Sequence, residues 1–163
     1  MRDTRPRGRP EEVVGDGARE RKAINRMNIS SRCEYACRAI VELALNEHSE
    51  QPLTAVFIAD KRKIPSKSLV HILLQLKRAG LVRSIRGAQG GYMLSKSPDN
   101  ITLMEIIEAI DGPILNPLPI DDDAGTELKP AWKDAARQLS KVMRTYRIRD
   151  ILDNASQPDM YYI

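Results

Sequence analysis

Between residues 54 and 95 the chain places a short helix, a longer helix and a glycine-tipped hairpin in immediate succession, and few folds accept that order. Thr54 is a side-chain cap for a short helix running through Asp60, with Ile58 and Ala59 facing inward. Pro65 and Ser66 start the next helix, predicted over residues 66–78, whose buried stripe is Leu69, Ile72, Leu73 and Leu76. Ala79-Gly80 ends it, because glycine enters the left-handed region without a steric penalty. Two short extended runs follow, residues 81–86 and 92–95, joined by Gly87-Ala88-Gln89-Gly90-Gly91. Three glycines in that connection predict a protruding hairpin tip. Ahead of this unit, Ile29, Cys33, Ala36, Cys37, Ile40, Val41 and Ala44 recur at helical spacing and predict a helix over residues 30–47, capped by Ser30 or Ser31. The arrangement is a winged helix-turn-helix, with residues 66–78 as the second helix of the turn and residues 81–95 as the wing.

Beyond the hairpin, Thr102 and Glu105 form a capping-box pattern before a helix carrying Leu103, Ile106, Ile107 and Ile110, ended by Gly112-Pro113. A Pro- and Asp-rich loop leads to a long helix from about Leu128, with Pro130 in its first turn, where a missing N–H is tolerated. Its apolar stripe is Leu128, Trp132, Ala135, Ala136, Leu139, Val142, Met143 and Tyr146. The expected class is mainly α with a small β-hairpin. The divisions are a basic extension expected to be disordered (1–26), the winged unit (27–97), a helix and loop (98–126), a long helix (127–155) and a tail (156–163). Of the 163 residues, 42% are hydrophobic, enough for one core and no more. No uninterrupted apolar run approaches the roughly 18 residues of a membrane span, and no secretory signal opens the chain, so a cytosolic location is expected.

Charge is unevenly placed. The net charge is +4, yet residues 54–97 carry nine basic groups against the single Asp60, whereas residues 98–163 carry seven basic and twelve acidic groups. A compact basic unit beside an acidic one is the footprint of a domain that meets a polyanion with one end. Because the basic segment coincides with the winged unit, the polyanion is expected to be double-stranded DNA. A protein-interaction adaptor is the alternative, disfavoured because interface cores are depleted of charge. Catalysis is not expected. The chain has two histidines, His48 and His71, and Asp121-Asp122-Asp123 lies in a loop without partner ligands.

Ser31-Arg32-Cys33-Glu34-Tyr35-Ala36, the run from Leu74 to Val82, and above all Arg86-Gly87-Ala88-Gln89-Gly90-Gly91-Tyr92 resemble the Rrf-type family of bacterial winged-helix regulators. Ile101-Thr102-Leu103 and Ile110-Asp111-Gly112-Pro113 match as well, and the similarity runs from residue 27 to about 155. The resemblance implies a cytosolic homodimer that binds near-palindromic operators, usually as a repressor, and dimerises through its long C-terminal helix. That role falls on Trp132, Leu139, Val142, Met143 and Tyr146. Many members hold an iron–sulfur cluster through three cysteines in the loop after the capping-box helix. Here that loop has neither cysteine nor histidine, so no cluster, metal or other cofactor is expected. The cysteine-free loop and the tail ending in Tyr162-Ile163 are most similar to the cysteine metabolism repressor subgroup, which works with cysteine synthase. Tyr162 and Ile163 are accordingly candidate contacts to that enzyme, or they pack against their own dimer.

By position, Ser66, Lys67, Ser68 and His71 are the candidates for reading base edges. Family members often carry an aromatic at position 68 and a glutamate at position 70; with Ser68 and Val70 here, a different operator is expected. Arg86 with Gly87, next to Gln89, is the candidate minor-groove contact, since an arginine beside glycine fits a narrow A·T-rich groove. Arg32, Tyr35, Thr54, Lys77 and Arg83 are candidate phosphate contacts, and Lys61-Arg62-Lys63 adds long-range attraction. Pro6-Arg7-Gly8-Arg9-Pro10 resembles an AT-hook core, although Glu11-Glu12 follow at once; alternatively residues 1–26 are a translated leader ahead of Met27. Cys33 and Cys37 share the inward face of the first helix, as small core residues or as a redox pair.

Overall fold

The computed structural model describes residues 29–115 and 125–156. The first helix, α1 (Ser31–Leu45), is capped by Ser30, whose hydroxyl oxygen accepts the Cys33 N–H at 3.0 Å. α2 (Ala55–Arg62) is capped by Thr54, as the sequence predicts, and stops at Lys63 in the left-handed conformation. α3 (Ser66–Arg78) begins after Ile64 and Pro65 and ends before Gly80, which takes a positive φ of 74°. These three helices converge on one core that includes Ala36, Ile40, Leu43, Ile58, Leu69, Ile72, Leu73 and Leu76. The buried stripe expected of α3 is the one observed. A single carboxylate enters this core. Glu42, 6% exposed, accepts from the Arg62 guanidinium at 2.5 Å, so α1 and α2 are tied by a paired charge where an unpaired one would be strongly destabilising.

The hairpin joins β1 (Val82–Ile85) to β2 (Gly91–Leu94), antiparallel, with Val82 opposite Leu94 and Ser84 opposite Tyr92. A contact not anticipated from the sequence braces it. Leu53 and Tyr92 exchange two backbone hydrogen bonds, of 3.0 and 2.8 Å, so the segment before α2 acts as a third strand position. This explains Gly91. A Cβ there would stand 2.4 Å from the Leu53 carbonyl oxygen, closer than any side chain tolerates.

A 3-10 turn at Pro98–Asn100 leads into α4 (Leu103–Ile110). Both halves of the expected capping box form: Glu105 N–H donates to Thr102 Oγ1 at 3.3 Å, and Thr102 N–H donates to Glu105 Oε2 at 2.9 Å. The single long helix expected over 127–155 requires correction, because it is two helices, α5 (Leu128–Met143) and α6 (Ile148–Ala155). The break has a tertiary cause. The chain turns at Arg144 and Thr145 and is extended by Arg147, so that Leu103 N–H donates to the Tyr146 carbonyl at 2.9 Å and Ile148 N–H donates to the Ile101 carbonyl at 2.9 Å. Ile148 thereby enters the core fully buried. The gain from that burial and two main-chain bonds exceeds what continuing the helix would offer.

α6 is locked down by charge as well. The Arg149 guanidinium donates to Glu47 at the end of α1 and lies 3.6 Å from Asp99. α5 is different: none of its residues is buried. Residues 1–26, the Asp121-Asp122-Asp123 run, Tyr162 and Ile163 lie outside the described residues, and so do the AT-hook and tail expectations that rest on them.

Candidate nucleic-acid interface

α3 and the hairpin are joined on one side of the winged unit. Lys77, in the last turn of α3, donates to Ser84 Oγ on β1 at 2.7 Å, fixing the helix against the wing. The Lys77 ammonium is therefore a positioning group as well as a cation. Ser66, Lys67 and His71 are exposed and Ser68 half-buried, all on the N-terminal half of α3. No acidic residue occurs in α3, and no side chain caps its first turn, which leaves its first backbone N–H groups without a side-chain acceptor. Such N–H groups favour anions.

Arg32 projects from α1 and donates to the Gln75 side chain on α3, so it is held beside the helix instead of trailing free. Together Arg32, Ser68, His71, Leu74, Gln75 and Arg78 line an open groove of about 480 Å³. Gln75, Leu74 and Arg78 were not singled out from the sequence. The signal was present, however, since 71, 75 and 78 follow Ser68 at helical spacing of three and four.

At the far end of the hairpin, Arg86, Gly87 and Gln89 are exposed at the tip. Gly87 has φ of 117°, a conformation that side-chain-bearing residues rarely adopt, and this turns the chain beside Arg86. Among the described residues, Arg83 and Arg86 form no ion pair. The Arg83 guanidinium instead lies 3.6 Å from the Met93 sulfur across the hairpin. Tyr35 is less open than expected of a phosphate contact, and Thr54 is partly committed to a helix cap. The Tyr35 ring is half-buried against the core, with the Arg38 guanidinium 5.7 Å from its centroid. Thr54 is exposed, but its hydroxyl oxygen already accepts the Phe57 N–H at 3.2 Å; only its O–H proton is left for a phosphate.

A model of the Rrf2 family, described as iron-dependent transcriptional regulators, matches residues 29–154. The chain belongs to the Rrf2 family. It is 45% identical over 117 residues to a protein of Rhodobacter capsulatus named as an rrf2-like HTH-type transcriptional regulator, covering 70% of this chain and 77% of that one. It is also 32% identical over 140 residues to the HTH-type transcriptional regulator CymR of Bacillus subtilis, covering 84% of this chain and all of the relative. The solved structure of CymR, the global cysteine regulator of B. subtilis, superposes with a TM-score of 0.65 at 30% identity, covering 79% of this chain and 98% of that one. This Rrf2 member is thus an HTH-type transcriptional regulator with a CymR-like winged fold, and its family is one of regulators and not of enzymes. Among the described residues no helix is long and apolar enough to cross a membrane.

The family's iron dependence raises the question of a metal or cluster. The chain has two cysteines, Cys33 and Cys37, four residues apart on α1, and segment 113–126 has neither cysteine nor histidine. Among the described residues no three His, Cys, Asp or Glu side chains converge on a metal position. A thiolate-held cluster needs more sulfur donors than two, so this donor set does not fit one. Cys33 is buried in the core and Cys37 packs half-buried against it, both as free thiols. A hydrogen bond from Cys37 pulls the Cys33 thiol below its ordinary pKa, against burial and the Asp111 and Glu34 carboxylates. The same bond, with burial, pushes Cys37 up.

Proposed function

We propose that this Rrf2 member is a homodimeric, sequence-specific DNA-binding repressor that places α3 in a major groove and residues 86–92 of the wing in the adjacent minor groove. The observation that carries this reading is the cationic side built from α3 and the hairpin, where Lys67, Arg83 and Arg86 stand exposed without an acidic residue on α3. Phosphate contacts from such residues position a protein, and base-edge contacts from Ser66, Lys67, Ser68 and His71 specify the sequence. Dimerisation follows from α5. Leu128, Trp132 and Val142 are 54%, 50% and 52% exposed, an apolar stripe that one copy leaves in water. Leu139 and Met143 lie half-buried along the same helix, and Tyr146 stands exposed in the break after it. Two copies paired through α5 present two reading helices, matched to half-sites about one duplex turn, roughly 34 Å, apart. A dimer seated on both grooves excludes polymerase from the same DNA, which is the basis for assigning repression. Sulfur metabolism is the field of regulation we assign, on the similarity to CymR and a loop without cluster ligands.

The test is a fluorescence-anisotropy titration of the full chain against the DNA upstream of its own coding sequence, over a range of salt. Saturable binding that weakens steeply with salt is expected. Arg86→Ala should weaken it about tenfold, since one groove arginine contributes about 1–3 kcal/mol. Undiminished binding by a folded Arg86→Ala protein would remove the wing from the interface. Binding indifferent to DNA sequence would remove the regulator reading.

A further inference from the structure

The outer side of α3 carries something a purely electrostatic interface has no use for. Val70 is 56% exposed and Leu74 44%, one helical turn apart, on the side opposite the buried Leu69, Ile72, Leu73 and Leu76. A single exposed aliphatic side chain needs no explanation. An aligned pair on a helix whose other exposed side chains are polar or cationic is a different matter. Val70 is β-branched, so it lowers helix propensity while gaining nothing from water. Neither side chain has a donor or acceptor with which to read a base edge by hydrogen bonding.

We propose that Val70 and Leu74 read thymine by its 5-methyl group, making this apolar pair a specificity determinant of the operator. The inference rests on the DNA-binding reading above. In a major groove the apolar feature that distinguishes one base pair from another is that methyl group, so an aliphatic pair has one class of target there. The surroundings favour DNA over a protein patch. Lys67 lies one turn before Val70, Arg78 one turn after Leu74, and Arg32 lines the same groove as Leu74. An apolar protein partner would strip water from those cations without pairing them, whereas the phosphates flanking a groove pair them while the floor contacts the aliphatic groups. Ser68 and His71 share that groove with Leu74 and bring the hydrogen-bonding part of recognition. The expected half-site therefore combines a polar position with one or more thymines whose methyl groups are required.

The experiment starts from randomised duplexes selected for binding to the full chain, followed by replacement of each thymine in the selected site with deoxyuridine. Deoxyuridine keeps every hydrogen-bonding group of thymine and lacks only the methyl. At one position or more per half-site the wild type should lose about fourfold in affinity, the effect of one buried methyl-sized group. Both residues are exposed, so Val70→Ala and Leu74→Ala should fold normally, and one of them should bind the thymine and deoxyuridine duplexes equally. Placing 5-methylcytosine at the sensitive position should recover part of the binding that plain cytosine loses. Tight binding that tolerates deoxyuridine everywhere would overturn the methyl reading and leave DNA binding standing. An identical deoxyuridine loss in wild type and both variants would also overturn it, by moving the effect to DNA shape. Failure to enrich any duplex, or capture of an apolar protein by this side of α3 in its place, would overturn both readings together.

Discussion

The winged unit and α5 spend their apolar residues in opposite ways. In the winged unit, the stripes of α1, α2 and α3 meet in one core, and even the intruding Glu42 is paired with Arg62. α5 is longer than any of those three helices, at 16 residues, yet none of its residues is buried. A helix of that length is marginal in water unless an apolar face is covered. The winged unit buries its apolar stripes within one chain, while the apolar stripe of α5 is covered only in the dimer proposed above. Stability of the first is set by internal packing, and in the proposed dimer that of the second is set by protein concentration.

The most damaging change to this contrast is Trp132→Glu. A charge in the middle of the α5 stripe should weaken self-association by at least about 30-fold, the effect of losing one interface anchor. Sedimentation equilibrium reads it directly. Because Trp132 is half exposed and lies outside the core cluster, near-native circular dichroism of the winged unit should persist in the monomer. A dimer that survives Trp132→Glu would show that α5 does not form the interface. Gly91→Ala does the reverse. Its Cβ would strike the Leu53 carbonyl, forcing the two-bond brace apart, and should destabilise the winged unit by about 3 kcal/mol in a denaturant titration. Self-association through α5 should survive it.

Most of the winged unit was legible because its signals are local. Thr54, Gly80 and the Thr102–Glu105 pair are caps whose geometry is decided within four residues of chain, and each formed as expected. The stripe on α3 is a matter of period and was equally readable. What escaped was set by contacts between distant parts of the chain. The break at 144–147 exists because Ile101 and Leu103 supply backbone partners and the core accepts Ile148, which no pattern near residue 146 announces. The brace on Gly91 comes from Leu53, 38 positions earlier. At the interface, exposure of Lys67, His71 and Arg86 followed from period and turn chemistry. The tie of Arg32 to Gln75 and the half-burial of Tyr35 depended on how α1 lies across α3.

The joint between the two regions offers a subtler test. Arg149→Met keeps a long side chain on α6 and removes its pairing with Glu47 and Asp99. Hydrogen exchange should quicken in α6 while the amides of α3 keep their protection. Equal quickening in both would mean that α6 belongs to the same cooperative unit as α3.

The smallest effect concerns Glu105, at the start of the helix that leads towards α5. Burial alone would raise its pKa, but the Lys96 ammonium at 2.5 Å and the Thr102 N–H outweigh it and hold the carboxyl below its ordinary 4.5. A carboxyl whose pKa falls on folding contributes stability that is present above 4.5 and is lost as pH drops through the lower folded value. Glu105→Gln keeps an acceptor for the Thr102 N–H and discards the charge. Its unfolding midpoint should sit slightly below wild type at neutral pH, and the two should converge in acid as the wild-type carboxyl takes up its proton. Thr102→Ala removes the other half of the cap and should cost about 1 kcal/mol at every pH, since a hydroxyl does not titrate here. Parallel curves for Glu105→Gln and wild type would mean that Lys96 contributes nothing through charge, leaving the capping hydrogen bonds as the whole of what Glu105 does.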